Sequence, residues 1–184
     1  VADLEGRPVS DVFFRTSAPG MDVYVTAKGL MYVFVQEKSV TEKGVPENTW
    51  NAVDFHLVGA RISKSQIVTE EPTDGHRNYF LGHCPEGLYG VRSFARITIR
   101  NVYPGIDWVL YNSAKHGLKY DFVVHPSADP SQIQIQYRSP WPAGVETDGS
   151  VRLQTALGTI RESAPYSYLA EKERPVASRF KLLG

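Results

Sequence analysis

The chain has 184 residues, a length typical of one domain of about 100–200 residues. Twenty Lys and Arg balance 20 Asp and Glu, so no net charge draws the chain toward nucleic acid or an anionic membrane. The single cysteine, Cys84, excludes an internal disulfide and a Cys-rich zinc site. No run approaches the ~18 consecutive apolar residues of a membrane span. We expect one β-rich domain over residues 1–184. The chain begins at Val1 and ends within an apolar alternating run, so we expect a piece of a longer multidomain polypeptide.

In the first half of the chain, side chains alternate between apolar and polar with a period of two, as in half-buried strands. This pattern predicts strands at residues 21–26 and 53–57. Residues 30–35 are apolar on both faces and predict a central strand packed from both sides. Residues 37–49 and 70–75 are polar and predict a loop and a break between strands.

The second half continues the same period. Strands are predicted at residues 95–100, 106–110, 118–124, 133–138, 151–154, 159–163 and 166–168. Turns are predicted at Pro104-Gly105, Asp148-Gly149 and Leu157-Gly158, because Gly supplies positive φ and Pro presets φ. Asp129 before Pro130 predicts one capped helical turn.

No window of ten or more residues shows helical periodicity. Many short strands separated by Gly and Pro turns are typical of a sandwich or barrel. The sequence therefore predicts an all-β fold, an antiparallel β-sandwich of many short strands with little helix.

The residues that could carry chemistry have structural interpretations beside the functional ones. His76, His83 and Cys84 lie close in sequence but match no standard zinc spacing, so we expect no metal site and no cofactor. Strand carboxylates such as Asp107 and Asp121 usually accept hydrogen bonds or pair with a cation. They remain candidates for binding contacts, and we expect no catalytic residues.

The tryptophans are the third group of candidates, since flat aromatic faces can stack on sugar rings. Trp108 shares a face with Ile106 and Leu110, which predicts a core position. Trp141 lies between two prolines in a predicted rigid, exposed turn, and is the best single candidate for a contact residue. Trp50 is the other.

Four segments resemble a known family in their order and spacing. They are Asn78-Tyr79-Phe80-Leu81-Gly82, Tyr103-Pro104-Gly105-Ile106-Asp107, Leu118-Lys119-Tyr120-Asp121-Phe122-Val123-Val124 and Ala128-Asp129-Pro130. The family they resemble is the uncharacterised N-terminal β-rich domain of large secreted bacterial proteins. Those proteins carry SBBP-type β-propeller repeats, PKD-like domains or gliding-motility-type C-terminal sorting modules. The chain departs from the family at Ser127, where a Gly is usual.

The resemblance implies export and display at the cell surface, and it carries over no catalytic residues. Physically, the motifs have structural tasks: Asp107 and Asp121 satisfy backbone donors at strand ends, while Tyr79, Phe80, Tyr120 and Phe122 fill the core.

Two functions remain open. The first is a non-catalytic β-sandwich module of a secreted or cell-surface bacterial protein, with a scaffold, adhesion or protein-contact role. Its partners would be other domains of the same chain or surface proteins. The second is a carbohydrate-binding module or glycoside-hydrolase-associated domain, with Trp141 or Trp50 as the stacking platform and Asp107 or Asp121 as polar contacts. We expect no nucleic-acid partner.

Overall fold

The structure is a computed structural model, and it describes residues 10–18, 20–40, 46–81, 84–113, 117–171 and 173–183. Within these residues the chain is nearly all β, as predicted. Its strands are β1 (Val12–Ala18), β2 (Met21–Thr26), β3 (Gly29–Val40), β4 (Pro46–Leu57), β5 (Ile67–Pro72), β6 (Arg77–Leu81), β7 (Cys84–Val91), β8 (Phe94–Tyr103), β9 (Ile106–Ser113), β10 (Gly117–Val124), β11 (Ile135–Arg138), β12 (Ala143–Val145), β13 (Val151–Thr155), β14 (Gly158–Glu162), β15 (Ser167–Leu169) and β16 (Arg174–Val176). Single 3₁₀ turns cover Lys64–Gln66 and Pro130–Gln132.

The chain divides into two compact units. Unit 1 contains Val1–Val33 and Asp54–Gln136, and unit 2 contains Phe34–Val53 and Tyr137–Gly184. The strands pair in the orders β1-β2-β3-β4-β11, β10-β9-β8-β5, β12-β13-β14, β15-β16 and β6-β7. The long strands β3 and β4 contribute residues to both units.

The core of unit 1 lies between two sheets that pack face to face. Phe55 on β4 stacks on Trp108 of β9 with ring centroids 6.3 Å apart, and meets Tyr120 of β10 edge-on at 5.4 Å. Trp108 also stacks on Phe122, at 6.2 Å. Trp108 is fully buried, which confirms its predicted core position. This aromatic cluster joins the two faces of an antiparallel sandwich.

The core of unit 2 is smaller. In β13, Val151, Leu153 and Thr155 are buried, while Arg152 and Gln154 between them are exposed. A two-residue turn at Ala156 and Leu157 leads from β13 into β14, which confirms the predicted hairpin. The alternation read from the sequence is therefore the alternation of buried and exposed side chains.

The predicted loop at residues 37–49 is wrong at both ends. Strand β3 runs to Val40 and β4 starts at Pro46, and residues 41–45 lie outside the described part of the chain. Similarly, β5 continues through Glu70 to Pro72, where a break was predicted. Polar side chains do not stop a strand when one face is solvated and the neighbouring strand supplies hydrogen bonds.

Two further expectations need correction. Strand β3 is central in its sheet, as predicted, yet among residues 30–35 only Leu30 is buried and Val35 is 39% exposed. It is therefore not packed from both sides along that stretch. Phe80 was expected in the core but is 70% exposed on the β6–β7 hairpin.

Candidate functional site

The carboxylate of Asp107 sits at the start of β9 and joins three segments of unit 1. One oxygen accepts the backbone N–H of Asn101 at 2.7 Å, and the other lies 2.9 Å from Nε2 of His125. Asn101 has a positive φ of 50° at the irregular end of β8, where its pairing with β9 shifts register. Asp107 thus accepts a backbone N–H that has no partner in the pairing of β8 with β9. This is the structural role predicted for it.

The predicted Pro104-Gly105 turn packs directly against the segment that follows β10. The carbonyl of Gly105 accepts the N–H of His125 at 2.9 Å. A Cβ on Gly105 would lie 2.9 Å from the Cβ of Ala128, closer than real Cβ contacts allow. Two of the four family-like segments, 103–107 and 128–130, therefore meet at one place. We call this place the Asp107 turn, and it contains Asn101, Pro104–Asp107 and His125–Asp129.

Ser127 belongs to this turn and takes a positive φ of 69°. Glycine adopts that conformation freely, whereas other L-residues pay a steric cost there. The backbone thus gives a physical reason for a Gly at this position, and the chain keeps the turn with Ser in its place.

The electrostatics of the Asp107 turn favour a charged carboxylate. Desolvation, the largest single effect, raises the pKa of Asp107, but the hydrogen bonds from Asn101 and His125 together with the charges of His125 and Arg100 outweigh it and lower the pKa. The hydrogen bond between Asp107 and Nε2 of His125 braces the turn.

Other carboxylates show the same use. Asp129 accepts the backbone N–H of Ser131 at 2.9 Å and its hydroxyl at 2.7 Å, so it caps the 3₁₀ turn as predicted. These hydrogen bonds lower the pKa of Asp129. Asp148 holds the N–H and hydroxyl of Ser150 in the β12–β13 turn. These oxygens are engaged in turn structure.

Asp121 differs from these acids. It is exposed on β10 opposite Val109 of β9, on the outer face of the sheet that also carries Asp107 and Lys119. The expected contact with a strand-end donor is present for Asp107. In the part of the chain that the structure describes, Asp121 is exposed and accepts no backbone N–H.

The two tryptophan candidates both lie in unit 2. Trp50 on β4 is 68% exposed, the kind of surface a stacking platform requires. Trp141 is partly buried rather than fully exposed, and its backbone N–H donates to Oγ of Ser139. The two carboxylate candidates lie instead in unit 1, where Asp107 on β9 and Asp121 on β10 belong to the same sheet.

An exposed aromatic pair lies on the β6–β7 hairpin, although the sequence predicted a core position for Phe80. Phe80 and Tyr89 meet edge-on with centroids 5.6 Å apart, and they are 70% and 65% exposed. Gly87 packs beneath them, since a Cβ there would lie 3.2–3.3 Å from both rings. A second exposed pair, Tyr166 and Tyr168, lies in unit 2 at 5.8 Å. Large exposed apolar side chains that cluster are typical of contact surfaces.

A half-buried polar pair in unit 2 was also not predicted from the sequence. The hydroxyl of Tyr137 on β11 donates to the carboxylate of Glu162 on β14. Burial raises the pKa of Glu162 to about 7 and also raises that of Tyr137. The signal was present in the sequence, because Glu162 is two residues from Ile160 and so shares its inward face.

The predicted absence of a metal site concerns residues that the structure covers only in part. Among the described residues, no group of three or more His, Cys, Asp or Glu side chains could hold a metal ion. His83 and the side chain of Cys84 lie outside the described part of the chain. The part of the chain that the structure describes also contains no helix long and apolar enough to cross a membrane.

Comparison with protein families identifies a match to this chain. The model of a family described as a domain of unknown function, DUF7948, matches residues 5–184. No curated protein and no solved structure matches the chain. The match extends over both units.

Proposed function

We propose that this chain, which belongs to the DUF7948 family of domains of unknown function, is a non-catalytic β-sandwich module of a secreted or cell-surface bacterial protein. In this role it packs against other domains of its own polypeptide, which include the β-propeller, PKD-like or sorting modules of the proteins it resembles. The observation that carries the proposal is the exposed Phe80–Tyr89 pair on the β6–β7 hairpin.

The pair has the properties of an interface anchor. Two aromatic rings stand out from a short hairpin and hold each other edge-on, so their geometry is set before a partner arrives. Fully burying an aromatic side chain of this size stabilises by about 1.5–3 kcal/mol. Aromatic residues are enriched among those that dominate interface energy. The surface therefore suits contact with another protein domain.

The polar groups support the non-catalytic part of the proposal. Asp107, Asp129 and Asp148 each accept a backbone N–H at a turn or strand end. His125 is paired with Asp107. Carboxylates used in this way hold the backbone in place, and a catalytic acid or base needs free access to a substrate proton.

Hydrogen exchange tests the proposal. The amides of Arg77–Leu81 and Cys84–Val91 are compared in the chain alone and in the longer polypeptide of which we propose it is a part. We expect slower exchange of the hairpin in the longer polypeptide, and loss of that protection in a Phe80→Ser variant. Tyr166→Ser, a matched exposed aromatic in unit 2, should leave the hairpin protected. Equal exchange in both settings, or reproducible hydrolysis of a glycan, would count against the proposal.

A second candidate function is carbohydrate binding, and the exposure of Trp50 favours it. A glycan array compares the wild-type chain with Trp50→Ala and Trp141→Ala. Binding that the Trp50 substitution abolishes supports this candidate. Absence of binding, or binding that neither substitution changes, removes it.

A further inference from the structure

Strand β10 forms one edge of the four-stranded sheet of unit 1. All eight of its residues pair with β9 without interruption, from Gly117 opposite Ser113 to Val124 opposite Ile106. Among the described residues, no strand pairs with its other side. A regular edge of this length presents a row of backbone donors and acceptors to a further strand.

One hydrogen bond shows which residues of β10 bond to β9 and which direct their backbone groups outward. The N–H of His125, one residue beyond β10, donates to the carbonyl of Gly105 across the same pair of strands. Because bonded and non-bonded positions alternate in an antiparallel pair, the odd-numbered residues of β10 bond to β9. The even-numbered residues Leu118, Tyr120 and Phe122 therefore direct their N–H and C=O groups outward.

Two other edge strands of unit 1, β5 and β1, lack this regularity. In β5, Glu71 has a positive φ of 52° and Pro72 has no N–H to donate. In β1, the pairing with β2 is irregular between Val12 and Phe14. Such irregularities discourage the addition of a strand, and β10 has neither a proline nor a break.

The charges on β10 select a particular partner and register. Lys119 and Asp121 lie on the outer face with one residue, Tyr120, between them. If two copies of β10 pair antiparallel with Tyr120 opposite Tyr120, each Lys119 lies opposite Asp121 of the second copy. A shift of two residues either way places Lys119 opposite Lys119 or Asp121 opposite Asp121. Like charges directly opposite destabilise a pair, whereas opposite charges stabilise it.

We propose that β10 is a self-association edge, through which two copies of the chain join their four-stranded sheets about a two-fold axis beside Tyr120. Leu118 then lies opposite Phe122 of the second copy, on the face that already carries the aromatic core. In this register apolar side chains lie opposite apolar ones and each cation lies opposite an anion, although both strands have the same sequence. An isologous interface requires such self-complementarity. The pairing goes beyond the proposed contact role and uses a different strand from the Phe80–Tyr89 hairpin.

Charge reversal tests the pairing, because Lys119 and Asp121 are exposed and their substitution leaves the core intact. In Lys119→Glu, both facing positions become anionic, and in Asp121→Lys both become cationic. We expect the wild type to dimerise in sedimentation equilibrium, and each variant to raise the dimer dissociation constant at least about tenfold. An equimolar mixture of the two variants should form a heterodimer with near wild-type affinity.

The mixture separates register-specific pairing from general loss of association. Circular dichroism of each variant establishes that it is folded. A wild type that stays monomeric up to about millimolar concentration overturns the proposal. So does a Lys119→Glu variant that dimerises as the wild type does, or a mixture that associates no better than its components.

Discussion

Tyr137 on β11 donates its hydroxyl to the carboxylate of Glu162 on β14 within unit 2. Burial raises the pKa of Glu162 from 4.5 to about 7. Between these pH values the folded chain holds a proton that the unfolded chain releases, so stability falls as the pH rises through this window.

We predict that Glu162→Gln flattens this part of the pH dependence. The wild type should lose on the order of 3 kcal/mol between about pH 4.5 and pH 8 from this one group. The Gln variant keeps an acceptor for Tyr137 but cannot ionise. Urea unfolding at pH 5, 6, 7 and 8 measures the difference, with the exposed Glu171→Gln as control. A gap between variant and wild type that is the same at pH 5 and pH 8 would contradict the assignment.

The brace formed by Asp107 predicts a cost for its removal. Asp107→Ala leaves the N–H of Asn101 and the imidazole of His125 without their acceptor, which should lower the free energy of unfolding by about 1–3 kcal/mol at pH 7. Asp54→Ala, at an exposed position of β4, should cost within about 0.5 kcal/mol. Chemical denaturation measures both.

The pH dependence of that cost has the opposite sign to that of Glu162. Because the pKa of Asp107 is lowered in the fold, its contribution is present above the ordinary Asp value and is lost as pH falls through the lowered one. The difference between wild type and Asp107→Ala should therefore shrink in acid. A constant difference from pH 7 down to about pH 2 would show that the charge of Asp107 is irrelevant.

The contact between Gly105 and Ala128 predicts a pairwise effect. Gly105→Ala adds a Cβ that meets the Ala128 methyl at 2.9 Å, so we expect a loss above about 2 kcal/mol. Gly117→Ala has nearly the same φ but no atom within 4 Å, and should cost about 1 kcal/mol. The double variant Gly105→Ala, Ala128→Gly should recover part of the loss. Equal costs at positions 105 and 117 would exclude a role for the contact.

The left-handed backbone of Ser127 predicts a stabilising substitution. Ser127→Gly removes the steric cost at φ 69°, partly offset by the greater freedom of Gly in the unfolded chain, for a net gain of about 0.5–1 kcal/mol. A thermal melt detects the gain as a rise in Tm. A lower Tm would mean that the Ser127 side chain stabilises the turn by a contact of its own.

The strand pattern could be predicted from the sequence because alternation reports directly on burial. Trp108 between Ile106 and Leu110, and Leu153 between Arg152 and Gln154, carry that signal in neighbouring side chains. The ends of β3 and β4 could not be placed, because their residues are polar although the two strands are neighbours in one sheet. Local composition contains no record of such pairing.

In the candidate site, too, some roles could be predicted from the sequence and others could not. Asp107 and Asp129 were assigned structural tasks from their places beside turns, and hydrogen bonds to Asn101 and Ser131 bear this out. Phe80 was placed in the core because aromatic residues are usually buried. Among the described residues β6 pairs with β7 and with no other strand, which leaves Phe80 exposed, and the sequence of the hairpin alone does not reveal this. The acceptor role of Glu162 required knowing that β11 brings Tyr137 to it.

The irregular end of β5, with the positive φ of Glu71 and the proline at position 72, affects how many copies of the chain can join edge to edge. A sheet with two regular margins can add copies at both and grow into a fibre. In the four-stranded sheet β10 is a regular margin, whereas the positive φ of Glu71 and the missing N–H of Pro72 disfavour a further strand beside β5. We therefore expect the proposed assembly through β10 to stop at two copies. The limit of two copies would then be set by the backbone of β5, a six-residue strand at the opposite edge of the sheet.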